Sequence, residues 1–164
     1  MDHIKSLKIV ITAGASGIGA EIAKTLSEAG AQVIICDKNQ SNLDLFTQNN
    51  PEVIALKADV SDEEEVLSLF AEVKKHFGEI NALINNAGIA GPSAKLEDTD
   101  FIDWKQTMSV NLNGAFLCSR SAIPLLKLSG GGSIVNIGST SSFLGTPLRS
   151  SYVASKWGLI GLTK

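Results

Sequence analysis

Lys8-Ile9-Val10-Ile11-Thr12-Ala13-Gly14-Ala15-Ser16-Gly17-Ile18-Gly19 decides how this 164-residue chain is read. A β-branched run, suited to a buried strand, breaks off into three glycines. Helical periodicity follows from Ala20 to Ala29 through Ile22, Ala23 and Leu26, and Gly30 sits at the position that closes a helix. Strand, glycine turn and helix in that order form a phosphate cradle. The glycines admit close backbone approach, and the helix start offers free N–H groups and partial positive charge to a pyrophosphate. Asp37 lies 18 residues beyond Gly19, at the end of a second apolar run, Gln32 to Cys36. A carboxylate there accepts hydrogen bonds from ribose hydroxyls and repels a 2′-phosphate, so NAD is expected over NADP. Lys38 beside it is the competing cation. The bland alternatives are a merely structural turn and a solvated acid. A P-loop is excluded, because Ala20 and Glu21, and not a lysine with Ser or Thr, directly follow Gly19.

Outward from that stretch the pattern repeats. A short helix is expected over Ser41 to Phe46 and a third strand over Val53 to Leu56. Ser61 with Glu64 three residues on reads as a capping box opening a helix whose apolar face is Val66, Leu67, Phe70 and Val73. Ala82 to Ile84 is a fourth strand. A long helix is expected from Phe101 to Leu126, with Pro124 near its end, then a fifth strand over Ser133 to Ile137. A last helix begins near Ser151 and is still running at Lys164. The strands are near-continuous apolar runs, as expected of parallel strands covered on both faces. Right-handed crossovers then give a doubly wound α/β fold.

Hydrophobic residues at 44% and charged residues at 19% suit one globular domain spanning 1–164. A net charge of −3 argues against a nucleic-acid surface. No apolar run approaches a membrane span and no signal peptide is visible, so the protein is read as cytoplasmic. Cys36 and Cys118, the only cysteines, read as buried thiols in a reduced compartment. His3 and His76 are far apart without ligand-like neighbours, so no metal is expected. Phe101, Trp104, Met108 and Phe116 read as core or helix-packing residues.

Near the C-terminal end, the only tyrosine, Tyr152, stands four residues before Lys156. Positions i and i+4 share a helix face, so a phenol and an ammonium sit side by side. A nearby cation favours the phenolate and makes the pair usable for proton transfer.

These motifs together resemble the short-chain dehydrogenase/reductase family over nearly the whole chain. The glycine turn is similar to its Thr-Gly-x-x-x-Gly-x-Gly. Asp59-Val60 resembles its adenine-side contact, and Asn85-Asn86-Ala87-Gly88 its Asn-Asn-Ala-Gly. Asn111 lies where its catalytic asparagine does, and Ser139 stands thirteen residues before Tyr152. The resemblance implies a Rossmann fold and hydride transfer between NAD and a small alcohol or carbonyl substrate. Asn111, Ser139, Tyr152 and Lys156 are its implied catalytic set. Tyr152 takes the proton, Lys156 supports it and holds the nicotinamide ribose, Ser139 binds the substrate oxygen, and Asn111 anchors a water. The implied cofactor contacts are Gly14, Ser16, Gly17, Ile18, Gly19, Asp37, Asp59, Val60, Asn86, Ala87 and Gly88, with Tyr152 and Lys156.

Ala13 departs from the pattern, standing where the family has the first glycine. The length departs too. Family members continue into two further strands and a mobile lid that builds the substrate pocket, so the domain is expected to be incomplete beyond strand five. The resemblance also implies a homo-oligomer through the long and last helices, with Trp157 as a candidate interface residue. Two other functions stay open. One is a non-catalytic NAD-binding module. The other is an epimerase or dehydratase of the extended branch, disfavoured because that branch has glycine at position 16, here Ser16.

Overall fold

A computed structural model describes residues 4–164; Met1, Asp2 and His3 lie outside the described residues, and with them the reading of His3. Five parallel strands form one sheet: β1 (Lys8–Thr12), β2 (Gln32–Asp37), β3 (Ile54–Lys57), β4 (Ala82–Asn85) and β5 (Ser133–Asn136). Their order is β3-β2-β1-β4-β5. The chain winds outward one way from β1 to β3 and the other way from β4 to β5. The carboxyl ends of β1 and β4 therefore flank a crevice, where open α/β sheets bind ligands.

The helices are α1 (Gly17–Glu28), α2 (Gln40–Asn49), α3 (Glu63–Phe77), α4 (Phe101–Met108), α5 (Gly114–Leu128) and α6 (Ser150–Thr163). Side chains alternate faces along a strand, and β1 shows the consequence. Ile9 and Ile11 join Val33 and Ile35 in a core closed by Ala23 of α1 and by Leu43 and Phe46 of α2. Val10 joins Ile34 and Leu83 on the opposite face, under Val66, Phe70 and Val73 of α3 and Leu117, Cys118 and Leu125 of α5. Each such fully buried aliphatic side chain contributes about 1.5–3 kcal/mol.

Several expectations need correction. The capping box at Ser61 and Glu64 does not form. Asp62 is the N-cap of α3, its carboxylate accepting from the Glu65 N–H at 3.0 Å, because Ser61 is bound instead to Asp59. Burial on both faces holds for β1, β2 and β4, whereas β3 and β5 are sheet edges, and Val135 of β5 is 44% exposed. The helix over Ser41 to Phe46 runs further, Gln40–Asn49, opened by the Asn39 side chain accepting from the Asn42 N–H. Phe101 and Phe116 lie on the surface rather than in the core, packed against Lys105 and Arg120 at 4.9 and 5.4 Å. The long helix is interrupted at Ser109–Asn113 by a π-helical turn. Such bulges re-aim side chains and recur at functional sites.

Candidate active site

The glycine turn is held by packing and by a neighbouring strand. Gly14 lies against β2: a Cβ there would stand 2.6 Å from Ile35 side-chain atoms. A Cβ on Gly19 would meet the Ala13 carbonyl at 2.3 Å and the Asn86 amide at 2.4 Å. Gly17 is different. Its φ is +54° and nothing lies within 4 Å of its missing Cβ, so it faces open space at the first turn of α1. Ser16, Gly17 and Ile18 are exposed there. Ala13 adopts φ +49° despite its methyl.

Asn86 ties β4 to this turn. Its side-chain amide donates to the carbonyls of Thr12 and Ala13, both at 3.0 Å. The N–H groups of Asn86 and Ala87 donate to the Thr12 hydroxyl, also at 3.0 Å each. Thr12 enters the sequence reading only as the end of the first strand and the threonine of the glycine motif, with no sign of this supporting role. Asn85 faces inward, its amide donating to Ser119 Oγ and Asn136 Oδ1.

A cleft of about 180 Å³ opens across the strand ends, lined by Ser16 and Ala13 after β1, by Asp37 and Lys38 at β2, by Asp59 and Val60 after β3, and by Ala87, Gly88 and Ile89 after β4. Eight of the cofactor residues expected from sequence thus meet at this cleft or at the open helix start beside it: Ser16, Gly17, Asp37, Asp59, Val60, Ala87, Gly88 and Ile18. Gly14, Gly19 and Asn86 shape the turn. Asp37 is nearly buried, and its Oδ1 accepts from the Asn39 N–H at 3.0 Å. Burial pushes the Asp59 carboxyl up, but bonds from the Ser61 hydroxyl and N–H, with Lys38 nearby, outweigh it and hold the group below the usual range.

The other end of the crevice gathers the remaining residues. The π turn aims Asn111 at the segment after β4, where it accepts from the Ile89 N–H at 2.8 Å and donates to the Ile89 carbonyl at 2.9 Å. The same amide donates to Ser155 Oγ at 3.0 Å, and the Ser155 hydroxyl donates to the Tyr152 carbonyl at 2.7 Å. Ser155 went unnoticed in the sequence; a serine inside a helix carries no signal until the facing helix is known.

Lys156 is 5% exposed, and its ammonium donates to the Ile137 carbonyl just past β5 at 2.7 Å. Burial holds that ammonium below the ordinary lysine range. Its Nζ lies 5.8 Å from the Tyr152 ring centre. Gly88 lies beside both groups: a Cβ there would make ordinary contacts, 3.7 Å from the Lys156 ammonium and 3.5 Å from Asn111 Oδ1. Ser139 caps a 3₁₀ turn (Thr140–Ser142), accepting from the Ser141 N–H and donating its own N–H to Ser142 Oγ. That loop leads directly into α6, which carries half-buried Tyr152.

Comparison with known proteins agrees with this geometry. Residues 7–164 match the family model described as short chain dehydrogenase. The chain is 36% identical over 162 residues to a 3β-hydroxysteroid dehydrogenase of Mediterraneibacter gnavus, aligning 96% of itself with 58% of that protein. It is 37% identical over 161 residues to a D-β-hydroxybutyrate dehydrogenase of Rhizobium meliloti, aligning 94% of itself with 62% of that protein. Among solved structures, levodione reductase superposes with a TM-score of 0.92 at 32% identity, over 97% of this chain and 64% of the other. NAD⁺-bound xylitol dehydrogenase gives 0.92 at 28% identity, over 98% and 63%. The chain belongs to the short-chain dehydrogenase family and has its Rossmann fold. It spans about three fifths of the length of these relatives.

Proposed function

We propose that this chain binds NAD along the cleft and oxidises an alcohol, or reduces the corresponding carbonyl, with Tyr152 as the acid/base. The observation that carries the reading is the meeting of Asn111, Lys156 and the Tyr152 helix at Gly88, where the cleft ends. The residues fit the cofactor. Gly17 leaves open space at the start of a helix long enough to present anion-binding N–H groups. Asp37 sits where a ribose hydroxyl would be received and favours NAD over NADP by repelling a 2′-phosphate. Asp59 and Val60 form the adenine side. NAD supplies the hydride acceptor.

Tyr152 takes the hydroxyl proton. Lys156, fixed by the Ile137 carbonyl, sets a positive charge close to the phenol. Its burial eases loss of its own proton, which suits a relay outward past Asn111. Ser139 holds the substrate oxygen. The protein is read as cytoplasmic, consistent with free, buried Cys36 and Cys118, and as a homo-oligomer through α4, α5 and α6, where Phe116 and Trp157 are 46% and 52% exposed.

A second reading is a nucleotide-binding unit without turnover. The exposure of Phe143, Leu144 and Leu148 in the segment between Ser139 and α6 favours it. Replacing Tyr152 by Phe separates the two. NADH formation with secondary alcohols should fall at least about 100-fold while NADH affinity stays within about twofold. Unchanged turnover in Tyr152→Phe refutes the tyrosine's role. Saturable NADH binding with no turnover of any secondary alcohol by the unsubstituted chain favours the second reading.

A further inference from the structure

Among the described residues Lys38 is the one cation lining the cleft, and it follows Asp37, so it stands where it would meet a phosphate on the adenosine ribose. In the structure it is turned to the other acid of the cleft: Lys38 Nζ lies 3.9 Å from Asp59 Oδ2. The orientation of Asp59 is imposed from behind. Its Oδ1 accepts from the Ser61 N–H at 2.9 Å and the Ser61 hydroxyl at 2.6 Å, which leaves Oδ2 for the lysine. Asp59 is further anchored by its own N–H, which donates to Glu65 Oε2 at 2.8 Å. Asp37 is held separately by the Asn39 N–H. The mouth of the adenosine site thus holds two carboxylates and one ammonium, with the ammonium drawn across the cleft.

We infer that Asp59 is a positioning residue that keeps the site selective against a 2′-phosphate by engaging Lys38. Asp37 repels the phosphate directly, and Asp59 withholds the cation that would otherwise offset that repulsion. Exposed ion pairs are weak, worth up to about 1 kcal/mol. Withdrawal of the lysine therefore tunes selectivity and does not set it alone. An ammonium without that pair meets a phosphate without first giving the pair up, so the gain is bounded by the worth of the pair. The inference rests on the nucleotide-binding reading above.

The test titrates the purified chain with NADH and with NADPH. Asp59→Asn keeps an acceptor for Ser61 and removes the charge facing Lys38. It should raise the affinity for NADPH relative to NADH about twofold to fivefold. The double variant Lys38→Met/Asp59→Asn should return the ratio to its starting value. Lys38→Met alone should move the ratio less than about twofold, because the lysine is already engaged. An Asp59→Asn variant whose NADPH-to-NADH ratio stays unchanged overturns the inference, even where both affinities fall together through the adenine side. A gain that persists in the double variant also overturns it, as repulsion by Asp59 then acts without Lys38. If neither nucleotide binds the unsubstituted chain, the nucleotide-binding reading fails first, a result separate from either of these.

Discussion

At the scale of single residues, two positions carry a measurable consequence of local chemistry. Ala13 takes a left-handed backbone that costs an L-residue about 1–2 kcal/mol, while glycine there would lose about 0.5–1 kcal/mol more chain entropy on folding. Ala13→Gly should therefore raise stability by about 0.5–1 kcal/mol, and the melting temperature by about 2 °C. A lowered melting temperature would mean that the methyl contributes packing that outweighs the strain. Lys156 gives a pH signature. Burial depresses its folded-state pKa below its unfolded value, so between the two the unfolded chain holds more protons and stability rises with pH. Urea unfolding of the natural chain and Lys156→Met should show their difference moving in favour of the natural chain as pH climbs toward about 10. A difference that stays flat over that range would contradict the buried ammonium.

At the scale of elements, the strands and most helices were legible from sequence, and the failures have local causes. Ser61 looked like a cap because its spacing to Glu64 is right. The pattern cannot show that Asp59, two residues earlier, captures Ser61 and passes the cap to Asp62. Asp62→Ala should destabilise by about 1 kcal/mol in chemical denaturation, the usual worth of an N-cap carboxylate. A change under a few tenths would place the cap elsewhere. The π turn was invisible too. Helical periodicity runs smoothly through Ser109–Asn113, and only the facing Ile89 backbone and Ser155 show why the turn widens: it sends Asn111 across to both. The candidate site residues fall together in groups because glycine turns and Tyr-x-x-x-Lys have fixed spacing. Their supports, Thr12, Ser155 and the Ile137 carbonyl, come from elements distant in sequence.

At the scale of the whole molecule, the sheet ends at β3 on one side and β5 on the other, and apolar side chains stand exposed along α4, α5 and α6. Unpaired strand edges and apolar faces favour association. Sedimentation should show a dimer or larger species, and Trp157→Glu should shift it toward monomer. A monomer in both cases would refute the proposed interface. The most direct test of the central claim is hydrogen exchange with and without NADH. Protection should concentrate at 13–19, 37–38, 59–60 and 87–89, the segments around the cleft. No protection at saturating NADH, or protection confined to other segments, would contradict a cofactor site built on the glycine turn.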